Sequence, residues 1–202
     1  MKRAVFIDRD GTISEEVGYI NHPSRFRVFS YSAAAIKRLN DNGWLAILVT
    51  NQAGVARGYF SEEMIQTVHS KLSDELKSSD AKLDAIYYCA HHPSVGVPPY
   101  RFDCDCRKPK PGLITRAARD FDIDIRESWM VGDRYSDIEL ARNAGLKSAF
   151  VLSGYGRGEW EHQRDSWIEQ PDLVAENLLE TVELIISQPH PVSGNVSDSA
   201  AR

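Results

Sequence analysis

The chain has 202 residues, 42% of them hydrophobic, with 29 acidic against 24 basic side chains and a formal net charge of −5. That length and apolar content suit one domain with a sizeable core, and the acidic balance argues against a nucleic-acid partner, since such binders carry a basic face. No apolar run approaches the length of a membrane span and MKRAVFID leads directly into a strand without a secretory core, so a cytoplasmic protein with no membrane attachment is expected.

The first strand-length apolar run, residues 4–8, ends in FIDRDGT. Alternate side chains on a strand point to opposite faces, but Gly11 lets the backbone turn so that Asp8 and Asp10 reach one cleft. With Mg²⁺ and a phosphate there, one carboxylate can attack phosphorus while the other manages the leaving group's proton. The plainer alternative is an Asp-Gly turn with Asp8 as a cap. Next come a helical pattern through Ala34, Ile36 and Leu39 ending at Gly43, and a second run, 44–49, that delivers Thr50. Met64, Val68, Leu72 and Leu76 follow Ser61-Glu62-Glu63 at helical spacing, and 84–88 reads as a third strand.

Three cysteines, all within 89–106, come after it. An odd number without an export signal makes a disulfide framework a poor reading. Cys89-x-His91 and Cys104-x-Cys106 supply three thiolates and one imidazole, the donor set of a closed structural Zn²⁺ site. His92 could replace His91, and the cysteines could also be plain buried thiols. Zinc would pin the proline-rich loop HPSVGVPPYRFD. Because Cys106 precedes Arg107 and Lys108, it would fix those cations too. Held on a stiff Pro-flanked backbone, Lys108 would stabilise a phosphoryl group in transfer, and Arg107 could fork onto a second substrate anion.

Leu113, Ala117 and Phe121 form another helical pattern; 128–131 is a strand running into Asp133, a candidate Mg²⁺ ligand. Asp137 falls in the first turn of a helix carrying Ile138, Ala141 and Ala144 and closed by Gly145, where an acid is favoured anyway, so it is expected behind the metal ligands. A strand at 148–152 follows, then a short strand and an amphipathic helix within 173–186 capping the sheet edge. Alternating strands and helices predict an α/β domain over 1–187, a mainly parallel Rossmann-like sheet with helices on both faces, and a disordered tail over 188–202. No insertion between Asp10 and Thr50 is large enough for a cap domain. Ligands should collect at the carboxyl ends of the strands, where Asp8, Thr50 and Asp133 fall.

The order Asp8-x-Asp10-Gly-Thr, Thr50 after WLAILV, Arg107-Lys108-Pro109 before a helix, and Asp133 after WMVG resembles the haloacid dehalogenase (HAD) superfamily of Mg²⁺-dependent phosphohydrolases, over about residues 3–152. The resemblance implies that Asp8 is the nucleophile and Asp10 the proton carrier, with Thr50 and Lys108 holding the phosphoryl group. It also implies that Mg²⁺ is bound by Asp8, the Asp10 main-chain carbonyl and Asp133. The pattern C-x-H-x-P, then C-x-C-R-K-P, with TNQAGVARG upstream, is similar to the branch acting on heptose bisphosphates and histidinol phosphate, and favours His91 over His92. The twelve residues between His91 and Cys104 resemble the longer loop of the heptose group. By that likeness Glu16, Val17, Gly18, Tyr19, Asn51, Gln52 and Ala53 contact substrate, Arg107 and Arg134 meet a second phosphate or sugar hydroxyls, and Arg57 is either a further cation or a solvated loop residue. The implied activity is removal of the 7-phosphate of D-glycero-D-manno-heptose 1,7-bisphosphate by a monomeric enzyme. Hydrolysis of histidinol phosphate or of another small phosphorylated metabolite, and a receiver-like phospho-aspartate module, are the alternatives.

Overall fold

A computed structural model describes residues 1–188, so the predicted tail lies outside the described residues except for Gln188. Six strands, β1 (Ala4–Ile7), β2 (Leu45–Asn51), β3 (Ala85–Cys89), β4 (Trp129–Gly132), β5 (Lys147–Val151) and β6 (Leu173–Ala175), form one sheet in the order β3-β2-β1-β4-β5-β6. All neighbours are parallel. The chain winds outward from β1 to β3 and then returns to place β4 on the other side of β1. The carboxyl ends of β1 and β4 therefore flank the point where strand order reverses, the usual crevice for a ligand.

Val5, Ile7, Leu48 and Val131 point to one face, beneath α1 (Ser32–Asp41), α2 (Glu62–Lys77) and α6 (Leu178–Ser187). Ala4, Phe6, Ile47, Val49 and Met130 point to the other, beneath α3 (Gly112–Phe121) and α4 (Tyr135–Ala144). This covering of both faces explains why the strands are continuously apolar instead of alternating. The predicted strands and helices up to residue 152 are all present, with boundaries shifted by a few residues at most. The closing helix α6 differs in place: Leu178, Val182 and Ile185 pack with Ile36 and Leu39 over a face, and β6 forms the edge.

Residues 153–172 hold α5 (Gly156–Gln163), which sequence periodicity does not reveal, because Trp160 is its single large apolar residue. Trp160 packs instead with Trp167 and Phe150 as a small aromatic group. Between β1 and α1 the chain makes only a short 3-10 turn, Pro23–Arg25, and isolated bridges, with no folded cap. Among the described residues no helix is long and apolar enough to cross a membrane.

Candidate active site

The ends of β1, β2 and β4 open on a cavity of about 290 Å³ lined by Asp8, Asp10, Glu16, Thr50, Asn51, Arg107, Lys108, Arg134 and Ser136. Asp8 is fixed to β4 by its amide, which donates to the Val131 carbonyl at 2.9 Å. Lys108 Nζ lies 2.7 Å from Asp8 Oδ1 and 2.7 Å from Asp137 Oδ1, and donates to the Val49 carbonyl at 3.3 Å. Its backbone is held as firmly: the Asn51 side chain donates to the Lys108 carbonyl at 3.2 Å and accepts from the Lys108 amide at 3.0 Å. Asn51 thus locks the lysine onto the end of β2, a role apart from any contact with substrate.

Burial pushes the Asp8 carboxyl up to about 6, with Lys108 pulling it down and Asp137 adding to the rise. Burial works against the Lys108 ammonium, but Asp137 and Asp8 outweigh it and hold the amine above its ordinary pKa. Asp133 stands well above the carboxylate range because it is buried and faces Asp8 and Asp137. Three acids whose charges oppose one another in a dry site need a cation beyond the single lysine.

The ligand atoms of Asp8, Asp133 and Asp137 all lie within 4.8 Å of one another. Asp133 Oδ2 accepts from the Tyr155 amide at 2.8 Å, whereas Oδ1 is buried with no hydrogen-bond partner. Gly11 (φ +87°) and Gly154 (φ +57°) clear the space around this carboxylate, since a Cβ at either would overlap Asp133 Oδ2. An orphaned oxygen in an acidic cluster fits a hard divalent cation. Asp137, expected behind the ligands, stands within the group, but Lys108 and the Arg134 amide, at 3.2 Å from its Oδ2, engage its oxygens. The Asp10 carboxylate turns elsewhere, to Arg9, Gln52 and Ser14, leaving its main-chain carbonyl as the implied ligand.

An adjoining cavity of about 260 Å³ shares Asp10, Glu16, Asn51 and Arg134 with the first and adds Gly18, Tyr19, Gln52 and Ala53. Gln52 Nε2 donates to Asp10 Oδ2 and Thr50 Oγ1, both at 2.9 Å, tying two predicted catalytic side chains together. Tyr19 meets Tyr59 edge-on at 4.6 Å. Val17 is partly buried against the apolar core, lines neither cavity, and its carbonyl accepts from Arg25 at 2.8 Å. Arg57 also lines neither; its guanidinium lies 3.4 Å from His92 Nε2. Arg134 is braced by residues of the unpredicted 153–172 segment, Glu159 at 2.6 Å and the Tyr155 ring at 4.6 Å.

Cys89, His91, Cys104 and Cys106 bring their donor atoms within 4.8 Å of one another. The contacts are 3.5 Å from Cys89 to Cys104, 3.2 Å from Cys104 to Cys106 and 3.4 Å from Cys106 to His91 Nδ1. A tetrahedral zinc–thiolate site has edges of about 3.8 Å. Hydrogen bonding between Cys89 and Cys106 pulls the Cys106 thiol down and pushes the Cys89 thiol up. His92 is excluded as the fourth donor, because its Nδ1 accepts from the Ser94 and Val95 amides and its Nε2 faces Arg57. Arg107 donates to the His91 carbonyl at 3.4 Å, which couples the phosphate-side cation to this loop.

Behind Asp10, Arg9 contacts His69 of α2. Burial pushes the His69 imidazolium from 6.5 down to about 3, with the Arg9 charge adding to the effect. The unfolded chain takes up a proton near pH 6.5 that the folded chain refuses, so stability is full above that pH and is lost as pH falls toward 3. This group should remove about 2 kcal/mol of unfolding free energy between pH 7 and pH 5. His69→Phe should flatten that part of the profile in urea titrations, and an unchanged slope would contradict a neutral buried ring.

A HAD-hydrolase-like family model matches residues 105–181. The D-glycero-D-manno-heptose-1,7-bisphosphate 7-phosphatase of Thermosynechococcus vestitus is 40% identical over 196 residues, covering 93% of this chain and 97% of that one. The D-glycero-beta-D-manno-heptose-1,7-bisphosphate 7-phosphatase of Pasteurella multocida is 38% identical over 185 residues, covering 92% and 97%. Among solved structures, the D,D-heptose 1,7-bisphosphate phosphatase from B. bronchiseptica complexed with magnesium and phosphate superposes with a TM-score of 0.81 at 30% identity, covering 91% of this chain and 98% of that one.

Proposed function

The chain belongs to the HAD-like hydrolases, in the family of the D-glycero-D-manno-heptose-1,7-bisphosphate 7-phosphatases, and from that premise we propose that it removes the 7-phosphate of a heptose 1,7-bisphosphate through an aspartyl phosphate on Asp8. The observation that carries this reading is the pairing within one cavity of an Asp8–Lys108 centre with two further cations, Arg107 and Arg134. One phosphate needs the first and a second anion needs the others.

In the first half-reaction a carboxylate oxygen of Asp8 attacks phosphorus in line with the departing sugar oxygen. Lys108 and the Thr50 hydroxyl hold the phosphoryl oxygens, preorganised charge and hydrogen bonding that cost no reorganisation during transfer. Asp10 donates its proton to the leaving oxygen. In the second half it takes a proton from the water that attacks the aspartyl phosphate, which returns both aspartates to their starting states. Mg²⁺ bound by Asp8, the Asp10 carbonyl and Asp133 would supply the charge that offsets repulsion between Asp8 and the phosphate. Glu16, Gly18 and Tyr19, with Gln52 and Ala53, are proposed to contact the sugar from the adjoining cavity.

Zn²⁺ bound by Cys89, His91, Cys104 and Cys106 would hold Arg107 in place from outside the cavity. Cys104→Ala should abolish bound zinc by elemental analysis and raise KM about tenfold without altering the Mg²⁺ requirement; zinc retained in full would refute the ligand set. An odd cysteine count read as metal ligands and not as a disulfide framework supports a reducing compartment such as the cytoplasm. In phosphate-release assays, heptose 1,7-bisphosphate should exceed histidinol phosphate in kcat/KM by at least about 100-fold. Equal turnover of the two would sink the assignment of Arg107 and Arg134. A stable phosphoenzyme without release would point to a receiver-like module.

A further inference from the structure

We infer that Arg9, the residue between the two aspartates, is a positioning residue that aims the Asp10 carboxylate for proton transfer, with His69 as its backstop. The inference rests on the reading of Asp10 as proton carrier.

Arg9 is only 2% exposed, so its guanidinium has left water altogether. Burying such a charge is strongly unfavourable unless its donors are matched, and a simple Asp-Gly turn would need no cation there. Nε and Nη2 form a two-pronged contact with Asp10, at 3.0 Å to Oδ1 and 2.8 Å to Oδ2. That planar fork fixes the carboxylate's rotation as well as its position.

The fork is itself anchored. Nη1 lies 3.3 Å from His69 Nε2, and the guanidinium carbon sits 5.8 Å from the Phe26 ring. Nη1 can only donate, so the imidazole must present Nε2 unprotonated, and a neutral ring does so without adding a second buried charge. Through this contact α2, sixty positions away in sequence, holds the proton carrier at the end of β1.

The other two contacts on Asp10 come from Ser14, at 3.4 Å to Oδ1, and Gln52, at 2.9 Å to Oδ2. Ser14 Oγ has a single proton and lies nearer the Arg9 carbonyl, at 3.2 Å, so one acceptor position of the carboxylate stays open for the proton that Asp10 carries. Gln52 approaches from the cavity side, so the leaving-group oxygen takes the place of its amide while Arg9 keeps the carboxylate aimed from behind.

The test separates leaving groups. An alkoxide leaving from a sugar phosphate needs a proton, whereas p-nitrophenolate does not. Arg9→Met should lower kcat/KM on heptose 1,7-bisphosphate about 100-fold and on p-nitrophenyl phosphate less than about fivefold. His69→Phe should show the same split, reduced, and Arg9→Lys, which keeps charge but not the fork, should recover only part of the loss. Asp10→Asn is run alongside. If it splits the two substrates and Arg9→Met lowers both equally, the Arg9 inference is overturned while the reading of Asp10 stands. If Asp10→Asn shows no split, the reading of Asp10 falls and the inference falls with it. Should Arg9→Met not fold, His69→Phe decides alone: a split supports the anchor, and an equal loss or none overturns it.

Discussion

Asp8→Asn is expected to cut phosphate release by about four orders of magnitude or more, as loss of an attacking group does in enzymes that work through a covalent intermediate. The substitution keeps the shape of the side chain and removes the nucleophilic oxygen. It should do so without unfolding the protein. Asp8 is crowded by Asp137 and Asp133 and its carboxyl is pushed up to about 6 by burial, so above that pH its charge opposes folding when no divalent ion is present. Calorimetry in metal-free buffer should therefore show a melting temperature equal to or above that of the wild type. Turnover within tenfold of wild type would defeat the assignment of Asp8.

Lys108→Met should move stability the other way. It leaves Asp8 and Asp137, each 2.7 Å from the ammonium, without their shared cation in a buried site. Breaking a buried pair from one side costs about 3 kcal/mol or more, and loss of the charge facing the phosphoryl group should lower kcat about 100- to 1000-fold. The opposite thermal shifts of Asp8→Asn and Lys108→Met are more telling than either loss of activity, because general damage to the fold would lower both melting temperatures. A stable Lys108→Met protein would show that the lysine does not balance the carboxylates.

Much of this site could be read from strand ends. Short apolar runs that stop at Asp8, Thr50 and Asp133 mark a parallel sheet, and the sheet's topology does the rest by bringing those ends together. The Cys₃His cluster was legible from donor chemistry and close spacing. Between His91 and His92 spacing alone could not decide; the loop turns His92 toward Arg57 and the Ser94 amide. Helix α5 was hidden because it carries almost no apolar stripe, and with it went Tyr155 and Glu159, the residues that brace Arg134. Val17 lies against the core and not along the cavities because a run of consecutive loop residues does not face one way, and an apolar side chain beside a core turns toward it. Arg9 was in plain view inside the motif. Its contact with His69 depends on packing between β1 and α2, which no local pattern encodes.

The central claim is that phosphate is carried on the Asp8 carboxylate during turnover. Enzyme quenched in acid during steady-state hydrolysis of heptose 1,7-bisphosphate, reduced with borohydride and digested for peptide mass spectrometry should yield homoserine at position 8, since an acyl phosphate is reduced to the alcohol. Homoserine at another aspartate, or none from an enzyme quenched at full turnover, would contradict it.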